Sequence, residues 1–402
     1  MSKKSFLITI ICIILIMVSW LFFIRWVPIQ GGGSKNASQP ANNSTTGSRV
    51  PAQVHGLDHI TSVAVGNGDQ GGHLGNSAAY ALKSDGTMWA WGNNGFGQLG
   101  NNTVINSSVP VRVSGLTQVT AIAGGYEASY AVKSNDTVWA WGNNKSGQLG
   151  NNSTTNSKVP VQVLGLSGVT VIAGGYNAAY ALKLDGTVWG WGDNKSGQLG
   201  KDSGDGSLVP VQIRSLDHIT AIATAGRSGY ALKSDGTVWT WGERPTNQSW
   251  YSQNNSHEPA RIPVLENITA IATGGSSGYA LKSDGMVWAW GSGGEGELGN
   301  AQNTKSPTQI HGLSDVTAIA ARSEGGYAFK QVGTVWAWGG LFGGNLGNNS
   351  TNGSSVPVQV SELTNVRAIV SADYDCYAVK LDGTVWAWGE NYTGQLGNGP
   401  KD

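Results

Sequence analysis

A chain of 402 residues with 60 glycines, 17 tryptophans, 12% charged residues and no net charge lacks the charged surface that amphipathic helices present to water and has what tight turns and packed strands need. The first 49 residues hold five bases and no acid, which leaves residues 50–402 with 20 bases against 25 acids. Nucleic-acid binding needs a clustered basic surplus, and the composition excludes it.

The chain opens on Lys3 and Lys4, followed by 19 uncharged residues from Phe6 to Ile24. A run of this length spans about 30 Å of hydrocarbon at 1.5 Å per residue and exceeds the roughly 7–15 residues of a signal-peptide core. Residues 1–27 are therefore expected to be a cytoplasmic tip and a transmembrane signal anchor, with secretion after cleavage as the alternative. The positive-inside rule puts everything after Arg25 outside the cytoplasm, on a cell-membrane, single-pass protein. Residues 28–49, "PIQGGGSKNASQPANNSTTGSR", have no periodicity and read as a flexible linker with a reach of about 25 Å. The two cysteines, Cys12 in the leader and Cys376 in an expected strand, are not expected to pair.

A lone strand pattern, "VPAQV" at Val50–Val54, comes next. Then Trp-x-Trp-Gly recurs at Trp89, Trp139, Trp189, Trp239, Trp288, Trp336 and Trp386, with spacings of 50, 50, 50, 49, 48 and 50 residues. A period of about 50 announces a repeat architecture. The second copy shows the unit: apolar runs at Val119–Ala123, Ser129–Lys133, Thr137–Gly142 and Val159–Val163, separated by Gly, Asn, Asp and Ser. That is four strands per repeat with no helical period. Asp-Gly at Asp85, Asp185, Asp235, Asp284 and Asp382 predicts two-residue type I′ hairpins between the second and third strands. Trp139 and Trp141 are two apart, so both rings face one side of the sheet, where the surface to bury them is the neighbouring repeat. The Ala- and Gly-rich first strand suits the crowded axis of a propeller. The chain ends after the third strand of repeat seven, and Val50–Val54 is expected to supply its fourth. Residues 50–399 thus make one seven-bladed, all-β propeller of four-stranded blades, with 400–402 as a tail.

Positions that break the rhythm are the candidates for function. Repeat one carries an insertion between its first two strands, Gly66–Ala78. Repeat four replaces the usual turn with Glu243–Pro263, which holds Trp250 beside Tyr251. The loop between first and second strands changes in every copy: Tyr126 and Glu127, Tyr176 and Asn177, Arg227, Ser276, Arg322 with Glu324, then Asp373, Tyr374 and Asp375. By symmetry these loops ring one face, and Tyr, Arg and carboxylates around a shallow depression suit protein recognition. Ordinary solvated loops are the alternative; so is a cell-wall or carbohydrate binder that stacks sugars on Tyr126, Tyr176, Trp250 and Tyr251. No HExxH, CxxC, GxSxG or phosphate-loop spacing occurs, so neither an enzyme nor a cofactor or metal is implied. "KDSGDGS" at Lys201–Ser207 reads as a turn, with calcium as the alternative.

"GTVWAWGENYTGQLG" following "YAVKLD", and its six counterparts, resembles the regulator-of-chromosome-condensation repeat family over about 350 residues. The resemblance implies a seven-bladed β-propeller. It also brings two functional analogies, a guanine-nucleotide exchange factor for a small GTPase and a secreted protein inhibitor of β-lactamases, the latter similar in its "VWAWG" repeats and in lying outside the cytoplasm. The family's usual His before the second strand is replaced by Ala128, Ala178, Ser228, Ser277, Gly325 and Asp375.

Overall fold

The computed structural model describes residues 47–66, 77–243, 257–275, 277–291, 293–294, 296–300, 306–331, 333–340, 346–371 and 374–399. The leader, most of the linker and most of the repeat-one insertion lie outside them. In the described residues, 28 strands form seven antiparallel four-stranded sheets, an all-β seven-bladed propeller. Blade 2 runs outward from the axis as Val119–Gly124, Ala128–Lys133, Val138–Gly142 and Ser157–Gln162. The first strands stand side by side around the axis. They approach so closely that a Cβ on Gly124 would lie 2.4 Å from the Val65 carbonyl of blade 1. Blades 4 and 5 have outer strands of only two residues, Ala260–Arg261 and Thr308–Gln309.

The ring closes where the sequence places the closure. Ser48–Gln53 pairs antiparallel with Val385–Gly389 as the outer strand of blade 7, starting at Ser48 rather than Val50. Two further contacts seal this seam. The Arg367 guanidinium, standing where the other first strands carry Thr, donates to the carbonyls of Ile60 and Thr61 in blade 1 at 2.7 and 2.6 Å. Asp375, at the position of the family's His, is buried and accepts from Ser77 Oγ of blade 1 at 2.8 Å and from the Tyr377 hydroxyl at 2.6 Å.

The hairpins differ from expectation. Gly86 takes φ of 76° but Asp85 has no positive φ. Gly86 N donates to Lys83 O, and Lys83 N to Thr87 O, so three residues, not two, form the loop. The cause is the Asp85 carboxylate, which accepts from Thr87 N at 2.8 Å and Thr87 Oγ1 at 2.6 Å. It caps the turn in the manner of an Asx motif and leaves only glycine left-handed.

The two tryptophans of each repeat share a face and differ in depth. The second of each pair, Trp91, Trp141, Trp191, Trp241, Trp290, Trp338 and Trp388, is at most 1% exposed. The first is half-buried, with the ammonium of the second-strand lysine 4.1–5.7 Å above its ring, as for Lys133 over Trp139 and Lys380 over Trp386. The deep indole N–H crosses to the preceding blade. Trp141 Nε1 donates to Gln98 O at 2.8 Å, and Trp91, Trp191, Trp241 and Trp338 do the same to Gln395, Gln148, Gln198 and Glu297. The same carbonyls in blades 1, 2, 3 and 5 accept the hydroxyls of Tyr80, Tyr130, Tyr180 and Tyr279 from their own blades. The tyrosine rings also meet the next blade's indole, with centroids 5.5–6.3 Å apart.

Trp141→Ala should therefore cost about 3–5 kcal/mol, as truncation of a fully buried aromatic does, while Trp139→Ala should cost at most about half of that, since water already reaches its ring. Denaturant titration of both variants checks this; equal losses would mean that depth does not rank the pair.

Alkali should attack these seams. Burial pushes the phenols of Tyr80, Tyr130, Tyr180, Tyr279, Tyr327 and Tyr377 above their ordinary value, and the Cys376 thiol up to about 11. A raised folded value means that the native protein keeps protons the unfolded chain releases. Stability is then complete below the unfolded values, about 8.5 for Cys and 10 for Tyr, and is lost as pH rises beyond them. Melting temperature should hold flat from pH 7 to about 8.5 and fall ever more steeply above about 10; a flat profile to pH 11 would contradict the burial of these hydroxyls.

Candidate functional site

In blades 2 and 3 two loops share one face, that between the first and second strands near the axis and that between the third and fourth farther out. In blades 2 and 3 the inner loops follow one plan. Gly125 N and Gly175 N close them by donating to Ala128 O and Ala178 O at 2.6 and 2.7 Å. Glu127 and Asn177 take left-handed φ of 55° and 57°, which suits Asn and strains Glu. The strain at Glu127 is held by Asn143 Nδ2, which donates to its carboxylate at 2.8 Å; Glu127 is only 9% exposed. Asn177 Oδ1 accepts from Gln148 Nε2 of the blade before it at 3.3 Å.

Each loop leans on the next. Tyr126 N donates to Gly175 O at 3.3 Å, and Tyr176 N to Gly226 O at 2.9 Å. The rings of Tyr126 and Tyr176 meet at 4.4 Å between centroids. Blade 4 carries no third tyrosine, and its left-handed residue is Gly226, φ 54°. With no side chain there, Arg227 takes the vacant side of Tyr176, its guanidinium 4.9 Å from the ring centroid. Glu243, the residue after Trp241-Gly242, stands 3.6 Å from Arg227 Nη1. Tyr126, Tyr176, Arg227 and Glu243 thus form one continuous stripe across three blades. Lys145 and Lys195 are exposed in the outer loops beside it.

Not every candidate joins the stripe. Arg322 points inward: it is 1% exposed, and its guanidinium donates to Gly340 O of its own blade. The equivalent positions in the other repeats hold Gly or Ala, and where a surface residue was expected the side chain instead turns in to reach Gly340 O. Tyr374 is likewise buried, at 7% exposure, beneath the face it was expected to line. Glu324 is half-buried in blade 6, away from the stripe. Trp250, Tyr251, Asp373 and Ser276 lie outside the described residues. Sequence reading passed over Glu243 as a partner and over Asn143 and Gln148 as braces; their signal was their fixed place, one residue after Trp-x-Trp-Gly or within the turn that follows.

The family model described as Regulator of chromosome condensation (RCC1) repeat matches residues 85–132, 135–182, 185–232, 284–324 and 382–402, and a second model of the same repeat matches 119–148, 169–198 and 268–297. The chain belongs to the RCC1 repeat family. Solved structures share its fold. Human WBSCR16 is 21% identical, with a TM-score of 0.71 over 89% of this chain and 94% of its own. Prp20p from Saccharomyces cerevisiae, described for its binding to Gsp1p and histones, is 23% identical, with a TM-score of 0.65 over 82% of each chain. Yeast RCC1 (Prp20) bound to Kap60 is 20% identical, with a TM-score of 0.67 over 89% of this chain and 95% of its own. No curated protein matches in sequence.

Proposed function

We propose that this RCC1-repeat chain is a non-enzymatic protein-binding propeller, held outside the cytoplasm by its N-terminal anchor, and that it takes its partner across the loops of blades 2–4. The observation that carries this reading is the contiguous stripe Tyr126–Tyr176–Arg227, with the two rings tilted against each other and the guanidinium over Tyr176. Tyr and Arg are the side chains that anchor protein interfaces, and here main-chain bonds between successive loops hold them in place before any partner arrives. Such preorganisation lowers the ordering cost of association. Solved propellers of the same fold bind proteins, Gsp1p and histones in one case and Kap60 in another. A sugar platform fits less well, since Tyr126 and Tyr176 face each other and Tyr176 is covered on its other side by Arg227.

Replacing Tyr126 or Tyr176 by Ala should leave thermal stability within about 1 kcal/mol of the parent, as surface changes away from the core do, and should weaken a captured partner by about 2 kcal/mol or more. Calorimetry on a partner recovered from surface extracts measures both; unchanged affinity in both variants would remove the stripe from the interface.

The anchor is tested separately. Protease added to intact cells should release the propeller by cutting within residues 28–46 while the leader stays with the membrane fraction. A propeller protected until the cells are lysed would reverse the orientation.

A further inference from the structure

Resting on the protein-binding reading of the stripe, we propose that its occupant is an acidic segment of the partner, one carboxylate of which displaces Glu243 and pairs with Arg227.

Arg227 is poised and underused. Its guanidinium carbon lies over the Tyr176 ring, 4.9 Å from the centroid. A guanidinium held over a ring in this way still has N–H groups to offer a carboxylate in a two-bond fork. The carboxylate present in the chain is Glu243, 3.6 Å from Nη1, beyond hydrogen-bond distance, with side chains 38% and 54% exposed. A surface pair of that kind contributes about 0–1 kcal/mol. An incoming carboxylate that forms both bonds over a ring and excludes water gains more than Glu243 gives up.

Two exposed lysines near the stripe stand ready to assist Arg227 in holding an acid. Lys145 and Lys195 hold the same position in the outer loops of blades 2 and 3, both exposed. Their main-chain N–H groups are bonded to the side chains of Asn143 and Asp193 at 3.0 and 3.3 Å, which fixes where each lysine starts. Lys145 lies over Phe96 of blade 1 at 5.5 Å. The acids near them are occupied: Glu127 is buried against Asn143, and Asp193 accepts from Lys195 N. Tyr126 and Tyr176 then offer the partner's aliphatic and aromatic neighbours an apolar edge. Residues 50–402 carry more acids than bases, 25 against 20, so the preference for an acid rests on the exposed edge of Arg227 and not on the charge of the propeller.

The test uses the propeller displayed intact against a random peptide library, with polygalacturonate as an acidic polysaccharide in a parallel arm. Peptides selected on the parent should be enriched in Asp and Glu, lose binding as NaCl rises from 50 to 500 mM, and weaken about tenfold or more on Arg227→Ala, a loss that Arg227→Lys does not restore. Glu243→Gln should strengthen binding about two- to fivefold by removing the internal competitor, a gain that a merely structural Glu243 would not give. Selected peptides that depend on Tyr126 and Tyr176 but show no acid enrichment, or are indifferent to Arg227→Ala, would overturn the acidic partner and leave the protein-binding reading standing. No peptide mapping to the stripe would overturn both, and polygalacturonate binding there in place of peptide would replace the protein partner by a glycan.

Discussion

One carbonyl oxygen per turn holds neighbouring blades in register. Gln98 O, Gln148 O, Gln198 O and Glu297 O each accept a tyrosine hydroxyl from their own blade and an indole N–H from the next. A carbonyl has two lone pairs, and here donors on two different sheets use them. Loss of either donor would remove one hydrogen bond from a dry seam, at about 0.5–1.5 kcal/mol. This explains the insistence on tryptophan: Phe or Leu would bury comparable area, but neither reaches across with an N–H. The pair is therefore divided in labour. The deep ring fastens blade to blade, and the shallow ring, roofed by lysine, seals the seam from water.

Because the fastening lies in strands and in the turn after the third strand, the loops nearest the axis are free to change. They are not thereby loose. In blades 2 and 3 the Asn143–Glu127 and Gln148–Asn177 bonds tie inner loops to outer ones, and each inner loop donates a main-chain bond to its successor. Elsewhere the same freedom serves the ring itself. Asp375 and Arg367 replace the repeated residues of blade 7 and reach into blade 1, at the one seam where the polypeptide is interrupted and the outer strand comes from the other end of the propeller. Departures from the repeat thus divide into two kinds, those that point into a seam and those that stand on the face.

That division marks how far the sequence could be read. Blade number, strand count and the role of Val50–Val54 were legible, because each follows from local patterning repeated seven times. The three-residue turn was missed because an Asp side chain, not the backbone preference of Asp-Gly, decides it at Thr87. The depth of Trp141 against Trp139 was not legible either: alternation gives the face a residue points to, not its distance from the rim. The direction of Arg322 and Tyr374 depended on tertiary partners such as Gly340 O, two strands away in the sheet and beyond any local window. The stripe was half legible. Tyr126, Tyr176 and Arg227 were grouped by symmetry, yet their contact rests on one absent side chain, at Gly226.

That absence also bears on how a repeat protein acquires a site. Seven identical loops would offer seven equivalent sites around an axis, each too small to hold a partner by itself. A site larger than one loop needs neighbours that differ in a fixed order. Blade 2 begins the series with a ring, blade 3 extends it, and blade 4 ends it by exchanging a ring for a cation once Gly226 removes its own side chain. The ending matters as much as the stack, since a third tyrosine would cover Tyr176 and leave no charge at the margin. A guanidinium over the ring covers it and still presents donors outward. The asymmetry that gives the face a direction is therefore one glycine and one arginine deep, on a frame whose symmetry is maintained by buried indoles.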